Sequence, residues 1–306
     1  MKLNDAQPRV NNGKLPVQVA MVSEQSDPKE LLVQQSPPWL VENNKVNVDQ
    51  KRGMAKYTAT TVVKNLSSML VDHGTTFIEV FTACGHTYSR LDKPLTLEVL
   101  TPSLALYERI RDLQLHKPNL FSGLRTTLTG GNVHPELHCL YGDFAVRGVN
   151  DDSFQPTTVF LGAWGLSAGN RGELHLAYAF PHEKSLKDAI ARKATGGTKY
   201  IICDSSKFGN LAGWRVTLPI TALLAESSGL VIITNTRELA TSRKVFESEL
   251  AKFATLFQYA DRKCPGKTCE IRLVDKEGVC VEVVDHKGTR AVNTCLSTDQ
   301  SSPLSR

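Results

Sequence analysis

Six short apolar runs punctuate the middle of this sequence: Phe77 to Phe81, Leu95 to Leu100, Leu124 to Leu128, Thr157 to Leu161, Lys199 to Cys203 and Leu230 to Thr234. Each has the length of one buried strand. Between several of them, Pro102 to Leu113, His182 to Ala194 and Glu238 to Phe257 carry apolar residues at spacings of three and four. Strands alternating with helices in this way build βαβ units around a largely parallel sheet, and the right-handed crossover rule places helices on both faces. The expected fold class is therefore α/β: a three-layer α/β/α, doubly wound, mostly parallel sheet.

The flanks read differently. Ala55, Ala59, Val62, Val63, Leu66, Met69 and Leu70 recur at helical spacing and predict a core-packing helix that ends near Gly74. Near the carboxyl end, Glu270 to Val274 and Val279 to Val284 are separated by Asp275-Lys276-Glu277-Gly278, which predicts a β-hairpin extension, with a third short strand at Arg290 to Val292. Residues 1–50 are rich in Asn, Gln, Pro, Ser and Val, with Pro37-Pro38 and Asn43-Asn44 breaking any helical period. The expected organisation is an irregular or partly disordered arm over 1–50, an α/β domain over 51–262, a hairpin extension over 263–296 and a disordered tail over 297–306.

Composition narrows the class of function. A chain of 306 residues that is 41% hydrophobic and 22% charged is an ordinary globular one, and its net charge of +5 comes from scattered Lys and Arg rather than a basic stripe. Nowhere do 18 apolar residues follow one another, so no membrane partner is expected, and a cytoplasmic location with mostly free thiols among the seven cysteines fits the absence of an apolar leader.

The segment Tyr200-Ile-Ile-Cys-Asp204-Ser205-Ser206-Lys207-Phe208-Gly209 is the most telling for chemistry. A buried-strand pattern stops abruptly at an acid, two hydroxyls, a lysine and a glycine. Ligands of open α/β sheets bind beyond the carboxyl ends of the strands, so Asp204 and Lys207 are placed to meet a hydroxylated, anionic ligand. Gly130-Gly131 and Gly162-Ala163-Trp164-Gly165 admit two readings each: close backbone approach to a ligand or a tight turn, with Trp164 packing on a sugar ring or on the core. His134-Pro-Glu-Leu-His138 does not place both histidines on one helix, because Pro135 belongs at a helix start, and Cys264 and Cys269 lack a second pair at zinc spacing; no metal and no cofactor is expected.

Read in order, Cys84-Gly85-His86-Thr87, Leu128-Thr129-Gly130-Gly131, Gly162-Ala163-Trp164-Gly165-Leu166 with Gly172, Cys203-Asp204-Ser205-Ser206-Lys207-Phe208-Gly209 and Ile232-Ile233-Thr234-Asn235 resemble the effector-sensing domain of DeoR-type regulators of sugar metabolism. The similarity covers about Lys51 to Arg237, and the Asp-Ser-Ser-Lys-Phe-Gly piece is its most specific part. The resemblance implies a fold similar to ribose-phosphate isomerase and a domain that binds a phosphorylated sugar to regulate transcription. Carried over to this sequence, Gly85, His86 and Thr87 match the Gly-Thr-Thr loop after the first strand, and Thr101 and Ser103 match the polar loop after the second. Departures accompany it: Ala83 and Cys84 precede Gly85 where the family has an acid and Ser, Pro102 removes a backbone donor, and residues 1–50 hold no recognisable helix-turn-helix.

The reading that results is a DeoR-like sensor of a phosphorylated sugar or related small anion. Its expected ligand-binding residues are Gly85, His86, Thr87, Thr101, Ser103, Gly130, Gly131, Gly162, Gly165, Asp204 and Lys207, with no catalytic residue assigned. The expected form is a homo-oligomer, and direct DNA binding is not supported by this chain. The alternatives are a sugar-phosphate isomerase or deaminase of the related fold, or an interaction module with a degenerate pocket. Against catalysis, the Gly162 to Leu166 loop holds no carboxylate, leaving Glu173, His175 or Glu183 as the acid or base an enzyme would need.

Overall fold

The computed structural model describes residues 47–168, 173–178, 180–193, 195–209 and 216–292. Gly172, the tail over 297–306 and all of the arm but its last few residues therefore lie outside the described residues. Fourteen strands are described: β1 Ser68–Val71, β2 Leu97–Thr101, β3 Leu124–Leu128, β4 Asn132–His134, β5 Cys139–Tyr141, β6 Thr158–Leu161, β7 Gly165–Ala168, β8 Leu174–Tyr178, β9 Thr198–Ile202, β10 Val216–Pro219, β11 Gly229–Asn235, β12 Thr268–Val274, β13 Cys280–Asp285 and β14 Gly288–Ala291. The α-helices are α1 Val48–Tyr57, α2 Thr75–Leu91, α3 Leu104–His116, α4 Pro118–Phe121, α5 Asp143–Asn150, α6 Lys184–Arg192, α7 Thr221–Ala225, α8 Arg243–Lys252 and α9 Ala254–Lys263.

Nine strands form one sheet in the order β14-β13-β12-β11-β9-β6-β1-β2-β3. From β12 to β3 every neighbouring pair is parallel, while β13 and β14 run antiparallel and extend the edge. A smaller antiparallel sheet, β10-β8-β7, and the β4-β5 hairpin lie outside it.

Alternation along the strands explains the three layers, because successive side chains leave a strand on opposite faces. Met69, Val71, Val99, Phe160, Ile202, Val231 and Ile233 pack in one core with Met54 of α1, Phe77 and Phe81 of α2 and Ile110 of α3. Leu70, Leu100, Val159, Leu161, Ile201, Leu230 and Ile232 point the other way and pack with α5 through α9, including Val149, Ile190, Leu223, Phe246 and Phe257. The fold class is thus the doubly wound α/β/α architecture, with helices on both faces and antiparallel strands at the carboxyl end.

Several local expectations are corrected. The pattern from Ala55 to Leu70 is not one helix: α1 gives way to a π turn at Thr58–Val62 and a short 3-10 turn at Val63–Asn65, Leu66 turns extended, and Ser68–Val71 form β1, an interior strand of the sheet. All four β1 residues are buried, and an apolar run that short carries no period of its own to separate strand from helix. Conversely, Phe77 to Phe81 lies in α2 rather than in a strand. The signal was present in the sequence, since Phe77, Val80, Phe81, Cys84 and Tyr88 fall on one helical face, and in the structure all five are buried. Residues 48–50 belong to α1, so the arm cannot run to residue 50 as expected. The pattern from Glu238 to Phe257 divides into α8 and α9 at Phe253.

Candidate functional site

In sheet order the chain runs from β1 outward through β2 to β3 and then returns to β6 on the other side of β1. The carboxyl ends of β1 and β6 therefore diverge, which is where doubly wound sheets open a crevice. A cavity of about 110 Å³ lies there, several times what a single water needs. Its walls come from the turn after β1 and the first turn of α2, from Ser103 and Ala105 after β2, from Gly162, Ala163 and Trp164 after β6, and from Cys203, Asp204 and Lys207 after β9. Lys51 of α1 and Lys187 of α6 complete the charged part of the lining.

The turn after β1 is Asp72-His73-Gly74-Thr75-Thr76. Gly74 has φ 152° and ψ 150°, a backbone state that L side chains rarely adopt, and it swings the chain directly into α2. Residues Gly74 to Ile78 all line the cavity, so the first turn of a 17-residue helix faces it. First-turn amides have no carbonyl four residues back to serve, and together with the helix dipole they favour an anion.

Behind this turn sits a buried charged quartet. The Asp72 carboxylate is fully buried and accepts from the His73 amide at 2.8 Å, the Gly162 amide at 3.2 Å and the Lys187 ammonium through both oxygens. Lys187 also lies 3.2 Å from His73 Nδ1 and 3.9 Å from Glu183 Oε1. His73 Nε2 is 2.9 Å from Glu183 Oε1, close enough for an ion pair although the ring N–H is not aligned as a hydrogen bond. The second Glu183 oxygen accepts the Phe180 amide at 2.9 Å. Burial pushes both carboxyls up, but Lys187 and His73 outweigh it and hold Asp72 and Glu183 below the ordinary carboxylate range. For His73, burial and Lys187 oppose protonation, yet the two carboxylates prevail and keep its pKa above the ordinary imidazole value.

Across the cavity, Asp204 caps the short turn Ser205–Lys207 by accepting from the Ser206 amide at 3.0 Å and also accepts from the Ser206 hydroxyl. Asn47, held in the left-handed region at φ 55°, donates to Asp204 Oδ1 at 3.0 Å and to Ser206 Oγ at 3.2 Å, tying the start of α1 to the end of β9. The Ser205 amide is received by Asn235 Oδ1 at 2.7 Å. The Lys207 ammonium stands 5.9 Å from the centre of the Trp164 ring. Lys51 is 6% exposed; burial draws its pKa below the ordinary lysine value, opposed by Asp204, assisted by Lys207 and opposed again by Glu79.

Of the residues singled out from sequence, the structure brings Ser103, Gly162, Asp204 and Lys207 together in this cavity. Gly85, His86 and Thr87 do not form a loop after the first strand: they lie in the third turn of α2, where Gly85 leaves room for Leu113. Thr101 is buried at the end of β2 and accepts the Ser103 amide at 3.1 Å, while Ser103 caps α3 by accepting from Leu106 at 3.1 Å. Gly130 and Gly131 turn the chain between β3 and β4 at φ 75° and 114°, and a Cβ on Gly131 would sit 2.5 Å from the Tyr141 carbonyl. Gly165 begins β7 and is not part of the cavity wall. Sequence reasoning missed Lys51, Asp72, His73, Lys187 and above all Gly74-Thr75-Thr76, which spells Gly-Thr-Thr and follows an acid. His134 stacks on His182 at 4.7 Å and meets Phe180 and Tyr141, and among the described residues no three side chains gather as metal ligands.

The family of the DeoR C-terminal sensor domain matches residues 46–218, more than half of the chain and the whole of the cavity wall. This chain belongs to that family. No curated protein sequence matches it. Among solved structures, ribose 5-phosphate isomerase A from Methanocaldococcus jannaschii is similar at a TM-score of 0.36 and 14% identity, over 55% of this chain and 58% of that one. The eIF2B beta subunit from Chaetomium thermophilum gives 0.36 and 9%, over 57% and 49%. A DeoR family transcriptional regulator from Listeria monocytogenes gives 0.29 and 10%, over 68% and 81%. The match thus spans little more than half the length of the isomerase, and likenesses this remote say nothing of activity. With the family in hand, Asp72-His73-Gly74-Thr75-Thr76 takes the place that Gly85-His86-Thr87 was expected to fill. The acid and both threonines are present, and His73 stands where the family's Ser was expected.

Proposed function

We propose that this DeoR-type sensor domain binds a phosphorylated sugar or a similar small anion at the crevice between β1 and β6 and serves a regulatory role. The observation that carries the reading is the first turn of α2, opened by Gly74 and facing the cavity with Lys207 and Lys51 in the same wall. The phosphate sits against the amides of that turn and the hydroxyls of Thr75 and Thr76. Lys207 and Lys51 supply countercharge, and Ser103 and Asp204 meet ligand hydroxyls. Gly162 serves at one remove, since its amide fixes the Asp72 carboxylate. The regulatory output passes through a homo-oligomer or a partner of the chain.

One observation favours a second reading, an isomerase or deaminase acting on such a ligand: His73 lines the cavity and contacts both Asp72 and Glu183. Against it, the Asp72 oxygens are taken up by Lys187 and two backbone amides, so that carboxylate is not poised to accept a substrate proton, and Asp204 has its Oδ1 engaged by Asn47 and Ser206.

A thermal-shift screen with inorganic phosphate and sugar phosphates tests the site. A ligand at a hundredfold excess over its Kd stabilises by about 2.7 kcal/mol, a rise of roughly 5 to 10 °C for a domain of this size. Lys207→Ala is expected to abolish most of that rise. A Tm unmoved by every compound refutes the binding site, whereas turnover of a stabilising compound, followed by NMR, moves the assignment to the enzyme.

A further inference from the structure

The cavity wall holds one large aromatic residue on a strand-end loop, Trp164, and its position bears on the body of the ligand rather than its charge. Trp164 follows β6, its amide is bonded to the Ala177 carbonyl at 3.2 Å, and its side chain is half-buried and lines the cavity. It is therefore not one of the core aromatics such as Phe77 or Phe160, which are nearly inaccessible to solvent. The Lys207 ammonium is 5.9 Å from the ring centre. An anion or hydroxyl oxygen bound to Lys207 at ordinary hydrogen-bond length is thus held beside the indole, and the carbon skeleton attached to it is laid along that ring. Phe77, Ile78, Ala105, Leu137, Ala163 and Ile202 add apolar surface to the same cavity.

We propose that Trp164 selects the form of the ligand, and that the site takes a phosphorylated sugar in its closed-ring form in preference to an open chain. The inference rests on the phosphate-binding reading of the same cavity. A closed ring presents a continuous face of C–H groups to the indole, and aromatic rings reward such flat apolar contact. An open-chain polyol with the same number of carbons turns hydroxyls toward apolar walls that offer them no partner, and it also loses more conformational freedom on binding.

Two probe pairs isolate the effect, because neither member of a pair can interconvert: 1,5-anhydroglucitol 6-phosphate against glucitol 6-phosphate, and 1,4-anhydroribitol 5-phosphate against ribitol 5-phosphate. Isothermal titration calorimetry on the full chain is expected to show the locked ring of at least one pair binding about tenfold more tightly than its open partner. In Trp164→Ala that preference falls to about twofold or less, while the affinity for inorganic phosphate stays within about threefold. Trp164→Phe retains part of the preference, which a merely structural role for the indole would not produce. Equal affinities within both pairs, or a preference that survives Trp164→Ala, overturn the inference and leave the phosphate site standing if inorganic phosphate binds. If neither phosphate nor any of the four probes binds, both readings fall.

Discussion

Replacing Lys187 by Met removes the only lysine in the buried quartet and tests how the cavity floor is held. In the wild type, Lys187 is 2% exposed, donates to both oxygens of a carboxylate with no exposure at all, and has Glu183 within 3.9 Å. Its loss leaves two carboxylates facing one imidazole in a region closed to water. Breaking a buried ion pair by removing one partner costs about 3 to 5 kcal/mol, and each kcal/mol moves Tm by roughly 2 to 4 °C in a domain of this size, so Tm falls by about 6 to 20 °C. His73 decides where in that range the loss lies. With the Lys187 repulsion gone, its protonated form is favoured more strongly than before, so the cost sits near the lower end at pH 6 and the upper end at pH 8. Asp72→Asn in the same chain removes the stranded charge but keeps an acceptor for only one of the His73 and Gly162 amides, which bond different oxygens, so the double variant regains part of the loss. Calorimetric melts of the four proteins of this cycle at the two pH values are the assay. A Lys187→Met protein that melts within about 2 °C of wild type at pH 8, or an additive cycle, refutes the argument that the quartet is one electrostatic unit.

The same groups set the pH dependence of the wild type. Asp72 and Glu183 are held below their unfolded values, so their stabilisation is complete above about pH 4.5 and lost as pH falls toward their folded values. His73 is held above its unfolded value, so its share is present below about pH 6.5 and lost as pH rises through the folded pKa. His73→Gln should therefore flatten Tm between pH 6.5 and 8.5, and an unchanged slope there refutes the assignment. Adjacent glycines offer a packing test: a Cβ on Gly196 meets nothing within 4 Å, whereas one on Gly197 would lie 1.9 Å from the Thr157 carbonyl. Gly196→Ala should change stability by less than about 0.5 kcal/mol and Gly197→Ala should cost about 1 to 3 kcal/mol in denaturant melts.

Much of the architecture was legible because its signals are local. Leu124 to Leu128 is bounded by Gly123 and by Thr129-Gly130, and the expected strand coincides with β3. The place of Asp204 and Lys207 beyond a strand was legible for the same reason, since a strand that ends in polar residues announces its carboxyl end, and both line the cavity. The strand β1 was not legible, because its four residues continue the helical phase of the segment before them, and that one slip moved the glycine loop eleven residues downstream, from Gly74 to Gly85 in α2. The quartet was beyond reach for a different reason. Asp72 and Lys187 are separated by 115 residues, and nothing in either neighbourhood states that the two will meet. The loop after β6 does hold no carboxylate, but tertiary packing supplies Asp204 to the cavity from the end of β9 and sets Asp72 behind its wall, bonded to the Gly162 amide.

The place of β1 between β2 and β6 has a consequence during synthesis. Its first partner follows within about thirty residues, but the Ser68 amide waits for Thr157, 89 residues later in the chain. At ordinary elongation rates of 5 to 20 residues per second, the nascent protein spends roughly 4 to 18 s with this interior strand bare along one side, far longer than collapse takes. The Asp72 carboxylate at the tip of that strand must wait longer still, since Lys187 emerges only afterwards. The cavity therefore cannot close until Lys187 and Lys207, the last residue of its wall, have emerged.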